Sequence, residues 1–262
     1  MPDYPLPTSS KFSPARDLTD REFWIKHWES HREEILIPVS GSNMYSPLFA
    51  ETFKNKAIKT VCELGGFPGK LSVYLKAKYG VDATMVDYAI NRELLKECLQ
   101  INGLSEGDIN VIEADIFTYH PKHSFDLVFS MGLIEHFKNT REIISLHLRY
   151  MKPGSELIIT LPNFRGINGW FQRIFDPENY NKHVIECMDP TLLKSIFSEL
   201  ALTNVSSSYF GGCAVWLERE KMKPAVARIL KTIICRVGGI VSSRIPLESK
   251  LFSTMIVVRG TK

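Results

Sequence analysis

Residues 61–70 read VCELGGFPGK, and the reading of this stretch decides the fold. An apolar run carries a glutamate, then three glycines and a proline crowd into one turn. Glycine lets the backbone take left-handed dihedrals and approach another group closely. A helix that starts beyond such a turn offers unpaired N–H groups and partial positive charge. A glycine turn between a strand and a helix is therefore a place for a ligand.

The flanks supply the strand and the helix. AIKTVCEL, 57–64, is a β-branched apolar run, and GKLSVYLKAKYG, 69–80, has helical spacing through Leu71, Tyr74 and Leu75 before Gly80 stops it. The rhythm then repeats. DATMVD, NVIEAD, FDLVFSMG and ELIITLP read as strands, and AINRELLKECLQING, ending at Gly103, as a helix. NTREIISLHLRYMKPG reads as a helix ending in Pro153–Gly154. Strands alternating with helices predict right-handed crossovers and a parallel sheet covered on both faces. Ligands of such sheets lie at the carboxyl ends of the strands, at the switch point.

Outside this core the pattern changes. Residues 1–18 hold four prolines and predict an extended arm. Thr19 with Glu22 makes a capping box for a helix running to about Ile35. Trp24 and Trp28 share one face of it; packing onto the body is the leading reading and lining a pocket the second. A short helix is expected over Ser46–Lys54. The division is 1–56 as arm and helical cap and 57–262 as the main domain, with irregular insertions at about 163–188 and 211–250. A helix at about Pro190–Leu200, a strand near Thr203–Tyr209 and a final strand in LFSTMIVVRG complete the chain.

Bulk properties exclude several classes. The chain has 262 residues, 44% hydrophobic and 23% charged, with a formal charge of +3. That charge is too small to argue for nucleic acid. No basic–aromatic strip is present, and FSMG stands where an NPPY-like tetrapeptide would mark a base-modifying enzyme. Five cysteines without a CxxC pair argue against a disulfide framework or zinc knuckle. No apolar run nears the ~18 residues of a membrane span, and the first twenty residues lack the apolar stretch of a signal peptide. These features point to a cytoplasmic protein.

Two cofactor classes compete for the turn. A dinucleotide site wants G-x-G-x-x-G. Counted from Gly65, that spacing needs glycine at 67 and 70, where Phe67 and Lys70 stand. Instead, ELGGFPG resembles the first motif of class I S-adenosylmethionine-dependent methyltransferases, E/D-x-G-x-G-x-G: Glu63, Gly65 and Gly69 match, and Phe67 replaces the middle glycine beside Gly66. The resemblance covers about 57–210 and 251–260, including FDLVFSMGLIEHF and MKPGSELIITLP. It implies a Rossmann-like, doubly wound, mostly parallel seven-stranded sheet with an antiparallel last strand. It also implies S-adenosylmethionine as cofactor, S-adenosylhomocysteine as product and a small-molecule acceptor.

Asp87, ending the second strand beside Tyr88, has the geometry to accept both ribose hydroxyls. NAD sites use an acid in the same way. Asp115 after the third strand is where the resemblance places an acid for the adenine amino group, with the Ile116 N–H meeting a ring nitrogen. Met131 and Gly132 would face the cofactor sulfur and methyl. His136 is a candidate general base, against the reading that it packs or caps the next helix. Glu135 could orient a ring or bind a substrate amine. His183 is a second base candidate, and Asn163 and Arg165 are candidate substrate contacts, Arg165 for a carboxylate or phosphate. The Glu135–His136 pair alone offers too few ligands for a metal, so none is expected. A nicotinamide-dependent oxidoreductase and a non-catalytic adenosine-binding module remain the alternatives.

Residues 221–244, KMKPAVARILKTIICRVGGIVSSR, carry six Lys/Arg and no acid, with apolar residues at helical spacing. Such a helix can face the core, cap a pocket, pair with a second copy or lie on an anionic membrane surface.

Overall fold

The computed structural model describes residues 17–242 and 248–262. Most of the expected arm, and positions 243–244 of the basic segment, lie outside the described residues. Helices α1 (Arg21–Ser30), α2 (Arg32–Ile35) and α3 (Ser46–Asn55) precede the sheet. Then follow β1 (Thr60–Leu64), α4 (Lys70–Tyr79), β2 (Asp82–Asp87), α5 (Arg92–Ile101), β3 (Ile109–Glu113), β4 (Phe125–Met131), α6 (Thr140–His147) and β5 (Met151–Pro162). Helices α7 (Ile167–Phe175), α8 (Pro177–Tyr180) and α9 (Pro190–Glu199) lead to β6 (Thr203–Cys213), α10 (Ala225–Ser242) and β7 (Ser253–Thr261).

The seven strands form one sheet in the order β3-β2-β1-β4-β5-β7-β6. β1 to β5 pair in parallel, and β7 runs antiparallel to both β5 and β6. Alternate residues feed the two faces, as period-2 side chains must. Cys62, Leu64, Val128, Leu157 and Ile159 enter one buried cluster; Val61, Leu127, Phe129 and Ile158 enter the other. The order reverses between β1 and β4, which opens a crevice at their carboxyl ends.

Several boundaries differ from the sequence reading, each for a local reason. Asp20, rather than Thr19, caps α1 by accepting the Phe23 N–H at 2.7 Å. The Thr19 hydroxyl instead accepts from the Trp24 indole at 3.0 Å. The helix breaks at His31, which caps α1 at its C-terminal end and precedes α2. α6 ends at His147 and a single 3-10 turn follows, because Tyr150 is buried and Met151 already pairs with Phe125 in the sheet. Pro153 and Gly154 therefore lie within β5. The first insertion is helical rather than irregular: Gly169 lets α7 press onto the chain before it, where a Cβ would lie 1.7 Å from the Phe164 carbonyl oxygen. β6 extends past Tyr209 to Cys213, and Gly238 lets α10 lie against its end. Phe171 of α7 and Ala227 of α10 share a small satellite core with Val215 and Leu217.

Candidate active site

The turn after β1 is held from both sides. The Gly65 N–H donates to the Val86 carbonyl at 2.8 Å, with Gly65 at φ +64°. Gly66 has no room for a side chain: a Cβ there would lie 2.7 Å from both Glu63 Cγ and Met85 Cγ. Gly69 caps α4 at φ +84°. Glu63 is buried and accepts from the Ser72 N–H at 3.0 Å and the Ser72 hydroxyl at 2.5 Å. It bolts α4 to β1, and desolvation pushes its carboxyl up to about 7 against those two bonds.

Asp87 closes the other side. Its Oδ2 accepts the Phe67 N–H at 3.0 Å and its Oδ1 the Ala89 N–H at 2.8 Å. The Tyr88 N–H also bonds to this carboxylate, whose two oxygens together keep acceptor capacity for a further donor. Desolvation pushes this carboxyl up to about 6, opposed by the same N–H groups. Asp115 accepts the Phe117 N–H at 2.9 Å, which sets the loop after β3.

Around these groups lies a cavity with about 860 Å³ of empty space, part of it open to solvent. Of the expected site residues, Gly65, Phe67, Asp87, Tyr88, Asp115, Ile116, Met131, Gly132 and His136 line it. Glu63, Gly66 and Gly69 shape the turn behind the cavity lining.

The remaining wall comes from the N-terminal segment. Asp17, Thr19, Trp24 and Trp28 line the cavity, and the two indoles stack 5.5 Å apart. The pocket reading of the tryptophans thus joins the packing one, since Trp28 also lies edge-on to Phe67 at 5.7 Å. Segment 17–21 is strapped across the strand ends. Leu18 N–H donates to the His136 carbonyl at 3.0 Å, and Arg21 donates to the Tyr88 carbonyl at 2.8 Å and pairs with Glu113 at 2.6 Å. Only the Trp24–Trp28 spacing hinted at this in the sequence; the strap partners lie too far along the chain to show.

The ring of His136 lines the cavity, edge-on to Trp24 at 5.0 Å. Its Nδ1 lies 2.9 Å from the Lys182 carbonyl, an acceptor, so Nδ1 carries the hydrogen and Nε2 the lone pair. Burial pushes its pKa down to about 3, with His183 adding to the effect. His183 packs 4.7 Å from it, behind the lining, with Nδ1 2.8 Å from the Asn179 carbonyl. Glu135 is buried beside them and also does not line the cavity. Its Oε2 has no hydrogen-bond partner among the described residues, and desolvation pushes its carboxyl up to about 8. Glu135, His136 and His183 bring one ligand atom each within 4.8 Å of one another, so the expected pair is a trio.

Two further candidates, Asn163 and Arg165, have partners within the protein. Asn163 is fully buried and donates to the Lys250 and Ser253 carbonyls at 2.9 and 2.7 Å, tethering the chain before β7 rather than meeting substrate. Arg165 is engaged in an ion pair with Asp189 at the start of α9.

The sheet order and a glycine turn facing two strand-end acids define a nucleotide-type site on a doubly wound fold. Solved structures share that fold. An S-adenosylmethionine-dependent methyltransferase from Archaeoglobus fulgidus aligns with a TM-score of 0.55 at 21% identity, over 92% of this chain and 100% of its own. Phosphoethanolamine N-methyltransferase 2 of Haemonchus contortus, in complex with phosphomonomethylethanolamine and S-adenosylhomocysteine, aligns at 0.59 and 15%, over 96% of this chain and 60% of its own. A probable (S)-tetrahydroprotoberberine N-methyltransferase 2 of Papaver bracteatum is 24% identical over 138 residues, 52% of this chain; the match spans 38% of that relative's length. A family model described as a methyltransferase domain matches residues 41–207, and the chain belongs to that family.

Proposed function

We propose that this chain transfers the methyl group of S-adenosylmethionine to an oxygen or nitrogen nucleophile on a small molecule. The observation that carries this reading is Asp87, a desolvated carboxylate with acceptor positions left over, facing a cavity that Asp115 also lines. The residues present fit an adenosyl ligand. Asp87 would take the ribose hydroxyls, Asp115 and Ile116 the adenine edge, and Leu64, Val86 and Ala114 supply apolar wall.

When bound, the cofactor supplies an electrophilic methyl on a sulfonium. The chain's own task is then to align a nucleophile and exclude water. Met131 and Gly132 form the wall next to the β4 end, and Trp24 and Trp28 close the solvent side. His136 offers its Nε2 lone pair to a proton leaving the nucleophile. Burial lowers the ring's pKa to about 3 and makes it a weak base, which suits an amine that attacks as the free base and sheds a proton only once methylated.

Segment 17–56 serves in this reading as a cap. The five cysteines are free, in keeping with a cytoplasmic setting. Among the described residues no helix is long and apolar enough to cross a membrane. In this reading the exposed apolar side of α10, flanked by Arg228 and Arg236, meets an anionic membrane surface.

Titration calorimetry tests the reading. S-adenosylhomocysteine is expected to bind at micromolar concentration and NADH not at all; the reverse result would favour the oxidoreductase. Asp87→Ala is expected to weaken binding by ~1.5–3 kcal/mol, the range for bonds to a charged group.

A further inference from the structure

The cavity uses one flank of α1, and a second flank carries His27 and His31, one turn apart. Residues at i and i+4 share a helix face. Glu218, from the segment between β6 and α10, reaches both rings. Its Oε2 lies 3.2 Å from His31 Nε2 and 3.7 Å from His27 Nδ1. The two imidazoles sit 4.3 Å apart.

Hydrogen bonding fixes what these atoms are. His31 Nδ1 lies 2.8 Å from the His27 carbonyl, which can only accept. Nδ1 therefore carries the hydrogen, and in a neutral ring Nε2 turns its lone pair on the carboxylate. Two lone pairs at 3.2 Å require a cation between them, a proton or a metal ion.

The surroundings carry cations as well as anions, with Lys182 and Arg219 acting on His27. The pair sits in the last turn of α1, at the negative end of its dipole. Lys182 is matched by Glu178 at 3.3 Å, while Asp176 and Glu34 act on Glu218 from their own side. Two imidazole nitrogens and one carboxylate oxygen suit zinc and its neighbours; magnesium and calcium want oxygen throughout. The three side chains are 14–30% exposed, which leaves room for water as a further ligand.

We propose that His27, His31 and Glu218 form a site for a zinc-class divalent cation, which pins α1 to the segment ahead of α10. The His27 ring lies 5.4 Å from Trp24 and 4.8 Å from Trp28, the two indoles that wall the cavity. An ion held here restrains that wall. The inference rests on α1 and Glu218 alone and stands whatever ligand the cavity takes.

The test uses the full chain, stripped with chelator and titrated with Co2+ and then Zn2+. One equivalent of Co2+ is expected to give visible ligand-field bands and to quench tryptophan emission, and Zn2+ to displace it. Glu218→Gln and His31→Ala are expected to weaken Co2+ binding at least ~100-fold, at or beyond the top of the ~10–100-fold cost of changes outside the first ligands. Circular dichroism confirms that each variant is folded, and Glu218→Gln serves alone if His31→Ala is not. Zn2+ is also expected to slow amide exchange in α1 of the unaltered chain and not in Glu218→Gln. Absence of stoichiometric binding, or binding untouched by both variants, would leave only a proton between these groups and overturn the site. So would loss of binding in His183→Ala alone, which would assign the ion to the trio beside the cavity. Unchanged exchange in α1 would overturn the pinning.

Discussion

Asp87 holds the glycine turn and faces the cavity with the same two oxygens. Desolvation pushes its carboxyl up to about 6, and in the proposed reading ribose hydroxyls would donate to the ionised form. A proton therefore competes with the ligand as pH falls through 6. Calorimetry is expected to show S-adenosylhomocysteine affinity flat above pH 7 and about tenfold weaker at pH 5, the ionised fraction one unit below the pKa. Asp87→Asn should abolish that slope, and an unchanged slope would place the titrating group elsewhere. Glu135 gives a stability effect of opposite sense. Its folded pKa, near 8, lies above its ordinary value, so the folded state holds the extra proton between them. Stability contributed by that proton is full at low pH and is lost as pH rises to 8. Chemical denaturation of Glu135→Gln is expected to lack this decline. At this scale the sequence was readable where chemistry follows from position. Asp87 ends β2, and Asp115 and His136 lie in the segments that follow β3 and β4, on the edge that lines the cavity. Asn163 and Arg165 stand at a strand end too, but their partners, Ser253 and Asp189, come from segments whose approach no local pattern encodes.

At the scale of elements, α4, α5, α9 and the strands were legible because apolar spacing and stop signals agree in each. The first insertion was not. Its glycines and asparagines imitate a loop, yet Gly169 is there for contact rather than for an unusual φ. Replacing it with alanine sets a Cβ 1.7 Å from the Phe164 carbonyl, which must move the helix or the strand end. Overpacking of this kind costs ~1–3 kcal/mol. The urea midpoint of Gly169→Ala is expected to fall accordingly with little change in slope; a midpoint equal to that of the unaltered chain would mean that α7 shifts freely. The same logic explains why α10 was legible as a helix but not in its docking: Gly238 meets the Cys213 carbonyl, a contact set by the bulged end of β6.

Across the whole molecule the parallel core leaves α10 on the outside, joined through Ala227, Leu230 and Ile234 to the satellite core and through Gly238 to the end of β6. Its outer side is apolar. Val226, Ile229, Ile233, Val237 and Ile240 are 52–61% exposed and fall on one stripe at i+3 and i+4 steps. No acidic residue occurs from 221 to 244. Lys223 and Lys231 are paired, with Asp176 and Glu220, while Arg228 and Arg236 are exposed along the helix. Branched side chains bounded by arginines match the boundary of an anionic bilayer, where apolar groups sink past the headgroups and guanidinium groups meet phosphate. A second copy of the chain would bring the same arginines against each other. The full chain is therefore expected to sediment with vesicles containing phosphatidylglycerol at low salt, and poorly with pure phosphatidylcholine. Arg228→Glu with Arg236→Glu should remove the salt-sensitive part, and Ile233→Asp should remove the remainder. A chain that stays in the supernatant at low salt, or that runs as a dimer broken by Ile233→Asp, would show that the stripe faces protein instead.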